Sequence, residues 1–418
     1  MLATHTTLMP SVGPVVLGEH NLREVVRGLP RVTERALRFA LNLRYGSLTI
    51  GLPNGRWVRI EGAGPGPHGT VVIHDLSAVS RFVRGGDIAF AEAYFDGQWD
   101  SPDLTAFLQV FSVNLDMIND LAARLPLANL AGRIRHWLRR NTKRNARRNI
   151  FAHYDLGNAF FASWLDETMT YSSAVFADEA QPLAHAQMNK YATLARSIAV
   201  GPDHHVLEVG CGWGGFAEFA AKELGCRVTG LTISPAQYDF ARERMFKAGL
   251  NERVSLKLQD YRDEAGIYDR IVSIEMIEAV GEKYWPVYFS HLRDCLVPGG
   301  VAGLQGITIS EAQFEIYRRQ PDFVQAYIFP GGMLPSRGVV RKVAGAAGLA
   351  VEDDNGYGLS YARTLADWRT RFLNAWSEIA DLGFDARFKR LWTYYLSYCE
   401  AGFRAGNIDV RQMTFTRA

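Results

Sequence analysis

His204–Gly225 reads HHVLEVGCGWGGFAEFAAKELG. A short apolar run ends at Val209, four glycines fall between positions 210 and 215, and a helix-forming stretch follows. Strand, glycine-rich turn and helix in that order form the opening unit of an α/β sheet. The same alternation continues outward from it. CRVTGLTIS is a second strand, followed by the helical PAQYDFARERMFKAG. VSLKLQDY is a third, DRIVSIEM a fourth, and VAGLQGITI (Val301–Ile309) a fifth after the turn VPGG. Strands separated by helices imply a doubly wound parallel sheet with helices on both faces, and ligands outside the carboxyl ends of the strands.

The chain has 418 residues, which makes two domains the natural expectation. An apolar fraction of 48% and a charged fraction of 22% suit a globular protein with a real core. No apolar run reaches the roughly 18 residues a spanning helix requires, and the opening MLATHTTLMPSVGPVV lacks the pattern of a secretion signal. Four scattered cysteines without CxxC spacing fit reduced thiols in a cytoplasmic protein, and the ten histidines show no metal-ligand spacing. No metal is expected.

Residues 1–30 read as a loose tail, and 31–120 as a small α+β domain. In the latter, GSLTIGLPNGRWVRIEG places two strands around Pro53-Asn54-Gly55, and Thr70–Asp75 (TVVIHD) is another strand. Residues 121–150 form a basic amphipathic linker helix. Between Ala131 and Ile150 there are eight Lys/Arg and no acid, and across 127–138 Leu127, Leu130, Ile134, Trp137 and Leu138 recur at helical spacing. An anionic membrane surface attracts such a stretch, and a solvated linker explains it equally well. Nothing nearby reads nucleic acid. Residues 151–418 carry the α/β domain.

Gly210, Gly212 and Gly215 fit G-x-G-x-x-G, and Gly214 also makes G-x-G-x-G. A dinucleotide site expects an acid about 20 positions on, at the end of the second strand. Here that strand ends Gly230-Leu231-Thr232. Instead Glu208 stands two residues before the first glycine, and this order resembles motif I of class I methyltransferases that use S-adenosylmethionine. Methyl transfer leads on this reading. A NAD-linked oxidoreductase is a distant second, and a lipid-binding protein without catalysis is the non-enzyme alternative.

HYDLGNAFF (His153–Phe161), MTYSSAVF (Met169–Phe176), LEVGCGWGG, LTISPAQ, QDYRD and FKRLWTYYLSYCEAGFR occur in order. With these the chain closely resembles the cyclopropane-fatty-acyl-phospholipid synthases and their mycolic-acid-modifying relatives. The resemblance implies a Rossmann-like methyltransferase sheet with a helical, aromatic lipid-binding cap. The implied reaction is methyl transfer from S-adenosylmethionine to the cis double bond of a phospholipid acyl chain, through a carbocation. It also implies a cytoplasmic enzyme, peripheral at the inner face of the membrane, and leaves homo-oligomerisation open. Tyr171, Ser172, the Gly210–Gly214 loop, Thr232 and Gln237 would contact the cofactor, with its adenine beside Asp260, Tyr261 and Ile274.

In the resembled family a bound bicarbonate is thought to take the last proton. Its cradle joins a cysteine, a glutamate, two histidines, a main-chain amide and a tyrosine. This chain keeps Glu278 and Tyr361 and offers the Ile307 amide. Ser173 stands for the cysteine, Ala279 and Gln305 for the histidines, and Glu275 where the synthases have glycine. Two glutamates and a bicarbonate would crowd three negative charges in a low dielectric. Glu275 is therefore expected to replace the bicarbonate and act as base, with Glu278 hydrogen-bonding to it, orienting it or sharing a proton. Alternatively Glu275 faces the sulfonium or caps the next helix, and bicarbonate still binds. The changed cradle leaves a cyclopropane and a methylene or methyl-branched unsaturated product both open.

Overall fold

The computed structural model describes residues 13–118 and 156–417, so the basic stretch at 121–150 and the His153–Asp155 part of the first family motif lie outside the described residues. The described chain forms two compact units. The first takes residues 13–118 together with Phe384–Ala405, and the second takes the remainder.

Five strands make the sheet of the first unit: β1 (Val15–Val16), β2 (Tyr45–Gly51), β3 (Trp57–Glu61), β4 (Gly64–Ile73) and β5 (Trp99–Asp100). Their order is β1-β3-β2-β4-β5, and β2 and β3 form the hairpin expected around Pro53-Asn54-Gly55. Residues 13–30 are not the loose tail expected from their Gly and Pro content. Val15 and Val16 pair with β3, and Leu17, Leu22, Val25 and Val26 are buried. The helix Ala386–Arg404 also belongs to this unit, although its sequence position suggested the α/β domain. Arg390 donates to the Trp99 carbonyl at 2.9 Å and to Asp100 at 2.7 Å, and Thr105 donates to the buried Glu400 at 3.1 Å.

The second unit holds β6 (His205–Val209), β7 (Arg227–Thr232), β8 (Val254–Leu258), β9 (Tyr268–Ile274), β10 (Leu296–Ile309), β11 (Leu349–Gly356) and β12 (Ile408–Arg417). Their order is β11-β12-β10-β9-β6-β7-β8. The five strands read from the sequence are those of the parallel part, and β12 runs antiparallel to both β10 and β11. The VPGG segment does not precede β10 but lies within it. It is absorbed as a register shift between Leu296 and Val301, the usual form of a bulge. Strand residues alternate between two cores: Val206 packs with Leu194, Phe216 and Met245, whereas Leu207 and Val209 pack with Tyr288, Phe289 and Leu292. Period-two alternation thus buries both faces of the sheet, as a doubly wound fold requires.

Candidate active site

The turn after β6 is shaped for a ligand. Gly210, Gly212 and Gly214 all have positive φ, which an L side chain resists. A methyl group added at Gly212 would meet nothing within 4 Å, so its open side is free for an approaching molecule. Glu208, buried at the end of β6, has its Oε2 without a hydrogen-bond partner. Burial raises its carboxyl to about 8, against the pull of Arg244 and Lys190. An orphaned carboxylate oxygen beside an open glycine turn fits a cofactor with a cationic end.

Around this turn, Thr232 at the end of β7 donates its hydroxyl to Gln237 Oε1 at 3.0 Å. Ser234 caps the helix Pro235–Lys247, its hydroxyl accepting from the Gln237 amide, and so sets where Gln237 begins. Asp260, buried just after β8, accepts from Arg262 Nε at 2.8 Å and Nη2 at 2.6 Å, and the Arg262 guanidinium lies over the Tyr261 ring. Ile274 closes β9, paired in register with Gln305 of β10.

Glu275 follows Ile274 with φ of 49°, one of three non-glycine residues with positive φ among the described residues. That conformation costs roughly 1–3 kcal/mol and turns the side chain into a cradle of donors. Oε1 accepts from the Ser173 amide at 2.7 Å and from Gln305 Nε2 at 2.9 Å. Oε2 accepts from the Tyr361 hydroxyl at 2.6 Å. The Glu275 amide in turn donates to the Gln305 carbonyl at 2.7 Å. Burial raises the Glu275 carboxyl, and the Tyr361 and Gln305 hydrogen bonds and the Lys190 charge pull against that rise.

Glu278 departs from one of its expected roles. No hydrogen bond joins it to Glu275; its Oε1 accepts from the Ile307 amide, and its Oε2 is buried without a partner. Burial, followed by the charge of Glu275, raises its carboxyl to about 8. Two carboxyls this close in a dry site do not both ionise readily, and Glu275 has the three donors that favour its anion. Ser173, Gln305, Tyr361 and Glu275 are therefore brought together, while Glu278 stands beside them on a separate partner. Aromatic rings line the same side: Tyr171 packs on Phe161, Trp164 and Trp368 at centroid distances of 5.2, 5.7 and 5.1 Å, and Tyr361 meets Trp368 edge-on.

Three polar residues of this region have no counterpart in the motifs. Gln412 of β12 donates one nitrogen to Gln305 Oε1 at 3.0 Å and to the Lys190 carbonyl at 3.2 Å. Gln187 and Lys190 lie on the helix Leu183–Ser197, fully buried, and both reach Ser172. Their signal was present: positions 183, 186, 187, 190 and 194 form one helical face, and a lysine inside an apolar face calls for a reason.

A model of the mycolic acid cyclopropane synthetase family matches residues 141–413. A tuberculostearic acid methyltransferase of Mycobacterium tuberculosis is 41% identical over 368 residues, covering 83% of each chain. A cyclopropane-fatty-acyl-phospholipid synthase of Escherichia coli is 34% identical over 389 residues, 88% of this chain and 95% of that one. Among solved structures, a mycolic acid cyclopropane synthase complexed with SAH and CTAB superposes with a TM-score of 0.61 at 30% identity, over 65% of this chain and 98% of its own.

Proposed function

The chain belongs to the mycolic acid cyclopropane synthetase family, and we propose that it methylates the cis double bond of an unsaturated phospholipid acyl chain with Glu275 as the base. It is an S-adenosylmethionine-dependent enzyme that modifies unsaturated acyl chains. S-adenosylmethionine supplies, when bound, a methyl group on a positively charged sulfur. The Gly210–Gly214 turn, Glu208, Tyr171, Ser172, Thr232, Gln237, Asp260, Tyr261 and Ile274 would hold it.

With the cofactor bound, the alkene π pair would form the new carbon–carbon bond to its methyl, the pair of the broken bond would leave with the sulfur, and the acyl chain would become a carbocation. Ring faces such as those of Tyr171 and Trp368 stabilise a cation and keep water from it. Glu275 then removes a proton, and the released C–H pair either closes a three-membered ring or makes a new double bond. The relative at 41% identity is named a tuberculostearic acid methyltransferase and the one at 34% a cyclopropane-fatty-acyl-phospholipid synthase. Proton NMR of lipids from expressing cells separates the two products, since ring protons and vinylidene protons have distinct shifts.

One observation carries the assignment of the base. The Ser173 amide, Gln305 and Tyr361, at positions where the resembled family is thought to cradle bicarbonate, all donate to the Glu275 carboxylate. A second anion would find those donors taken. Glu275→Gln should lower kcat by roughly 10²–10⁴-fold while S-adenosylhomocysteine binds as before. Full turnover in that variant overturns the reading. Among the described residues no helix is long and apolar enough to cross a membrane. We place the enzyme at the inner face of an anionic membrane through the basic stretch at 121–150.

A further inference from the structure

We propose that Lys190 is a positioning residue that joins the cofactor-binding segment to the base, its ammonium turning the Ser172 hydroxyl proton toward the cofactor and holding Glu275 ionised. This rests on the reading of Ser172 as a cofactor contact and Glu275 as the base.

Lys190 is fully buried, and its Nζ donates to Ser172 Oγ at 2.7 Å. One helical turn earlier, Gln187 Nε2 donates to the Ser172 carbonyl at 3.0 Å, so the serine is gripped at side chain and main chain together. A hydroxyl has a single proton to give. With Lys190 on an oxygen lone pair, that proton needs another acceptor, and none of the described residues takes it. A carboxylate such as the one at the amino-acid end of the cofactor completes the set. The next residue, Ser173, gives its amide to Glu275, so whatever fixes Ser172 also fixes a donor to the base.

A second connection leaves from the Lys190 main chain. Its carbonyl accepts from Gln412, which orients Gln305, which in turn donates to Glu275. The charges around the ammonium are Glu275, Asp166 and Glu208, with the Tyr191 ring 4.5 Å from Nζ. Facing Glu275 are Lys190, Glu278 and Tyr361. Burial pulls the lysine down to about 7, against those three acids, so below that pH its ammonium stands charged near Glu275. A methionine would fill the same volume without burying a charge on one acceptor.

The sign follows from the charges. Lys190→Met removes a positive neighbour, so the Glu275 carboxyl rises further and the acid limb of kcat moves to higher pH, by about one unit. S-adenosylhomocysteine, titrated calorimetrically into the unliganded protein, should bind roughly tenfold more weakly. Ser172→Ala should weaken it similarly, and the double variant no further, because the lysine acts through the serine. Thermal melting should show the Lys190→Met variant folded. Additive losses in the cycle, or an acid limb at the wild-type pH, overturn the proposal. Failure of the base reading is distinguishable: Glu275→Gln would then keep full turnover, and the binding cycle would still decide the role of Lys190.

Discussion

Glu275 combines two features that sequence and structure reveal separately. Its identity was legible, since a carboxylate stands where the resembled synthases have glycine. Its φ of 49° was not, because nothing local in IVSIEMIEAVG announces a left-handed residue. The two together explain each other: a backbone bend that suits glycine here carries a side chain into an anion cradle. Glu275→Gly should therefore fold without strain and leave the Ser173 amide, Gln305 and Tyr361 unfilled. Added bicarbonate should restore turnover to that variant in a saturable way, measured against chloride at equal ionic strength; absence of rescue counts against the cradle. Glu278 makes a different prediction. Burial and the neighbouring Glu275 raise its carboxyl from 4.5 to about 8 in the fold, so its neutral form belongs to the folded state. Stability from this group is complete at pH values below 4.5 and is lost as pH rises through about 8. Glu278→Gln cannot ionise and keeps an oxygen for the Ile307 amide. Its melting temperature should exceed wild type by a margin that grows between pH 5 and 8 (approximate bounds). A margin constant with pH would show that Glu278 is not titrating there.

At the scale of elements, the five parallel strands were readable because each carries its own apolar run and its own following helix. β12 was not. IDVRQMTFTR has an adequate strand pattern, but nothing in ten residues says that it inserts between β10 and β11. That insertion brings Gln412 beside Gln305, so a residue outside every motif orients the base's amide partner. Sheet order is a property of long-range pairing, and local periodicity does not encode it. The turn from β6 into the helix Gly215–Glu223 is the converse case, where composition and conformation agree. Gly212→Ala would hold a Cβ at φ of 52°, costing roughly 1–2 kcal/mol, and would point it into open space. Its melting temperature should fall only a few degrees, while its affinity for S-adenosylhomocysteine should fall by more than tenfold (an approximate floor). Equal small effects on both would mean that the open side of Gly212 does not face the ligand.

For the whole molecule, the C-terminal segment contributes to both units: Ala386–Arg404 gives a helix to one and β12 a strand to the other. The motif FKRLWTYYLSYCEAGFR marked this segment in the sequence but could not say which core its apolar face completes. Net charge is only +2, yet eight of the basic residues fall in twenty positions between Ala131 and Ile150. With no spanning helix among the described residues, the proposed membrane substrate requires another source of residence at the surface, and local charge would supply one. Each Lys or Arg close to an anionic surface contributes about 1 kcal/mol, screened within a Debye length. Replacing Arg139, Arg140, Lys143 and Arg144 by glutamine should weaken binding to phosphatidylglycerol vesicles by roughly 10²–10³-fold at low salt. The salt dependence of binding should flatten accordingly, and neutral phosphatidylcholine vesicles should show no difference between variant and wild type. Turnover on acyl chains dispersed in neutral detergent should be retained, because those charges act on access to the surface and not on Glu275. If vesicle affinity is unchanged, the basic stretch is a linker, and the enzyme reaches its lipid by another part of the chain.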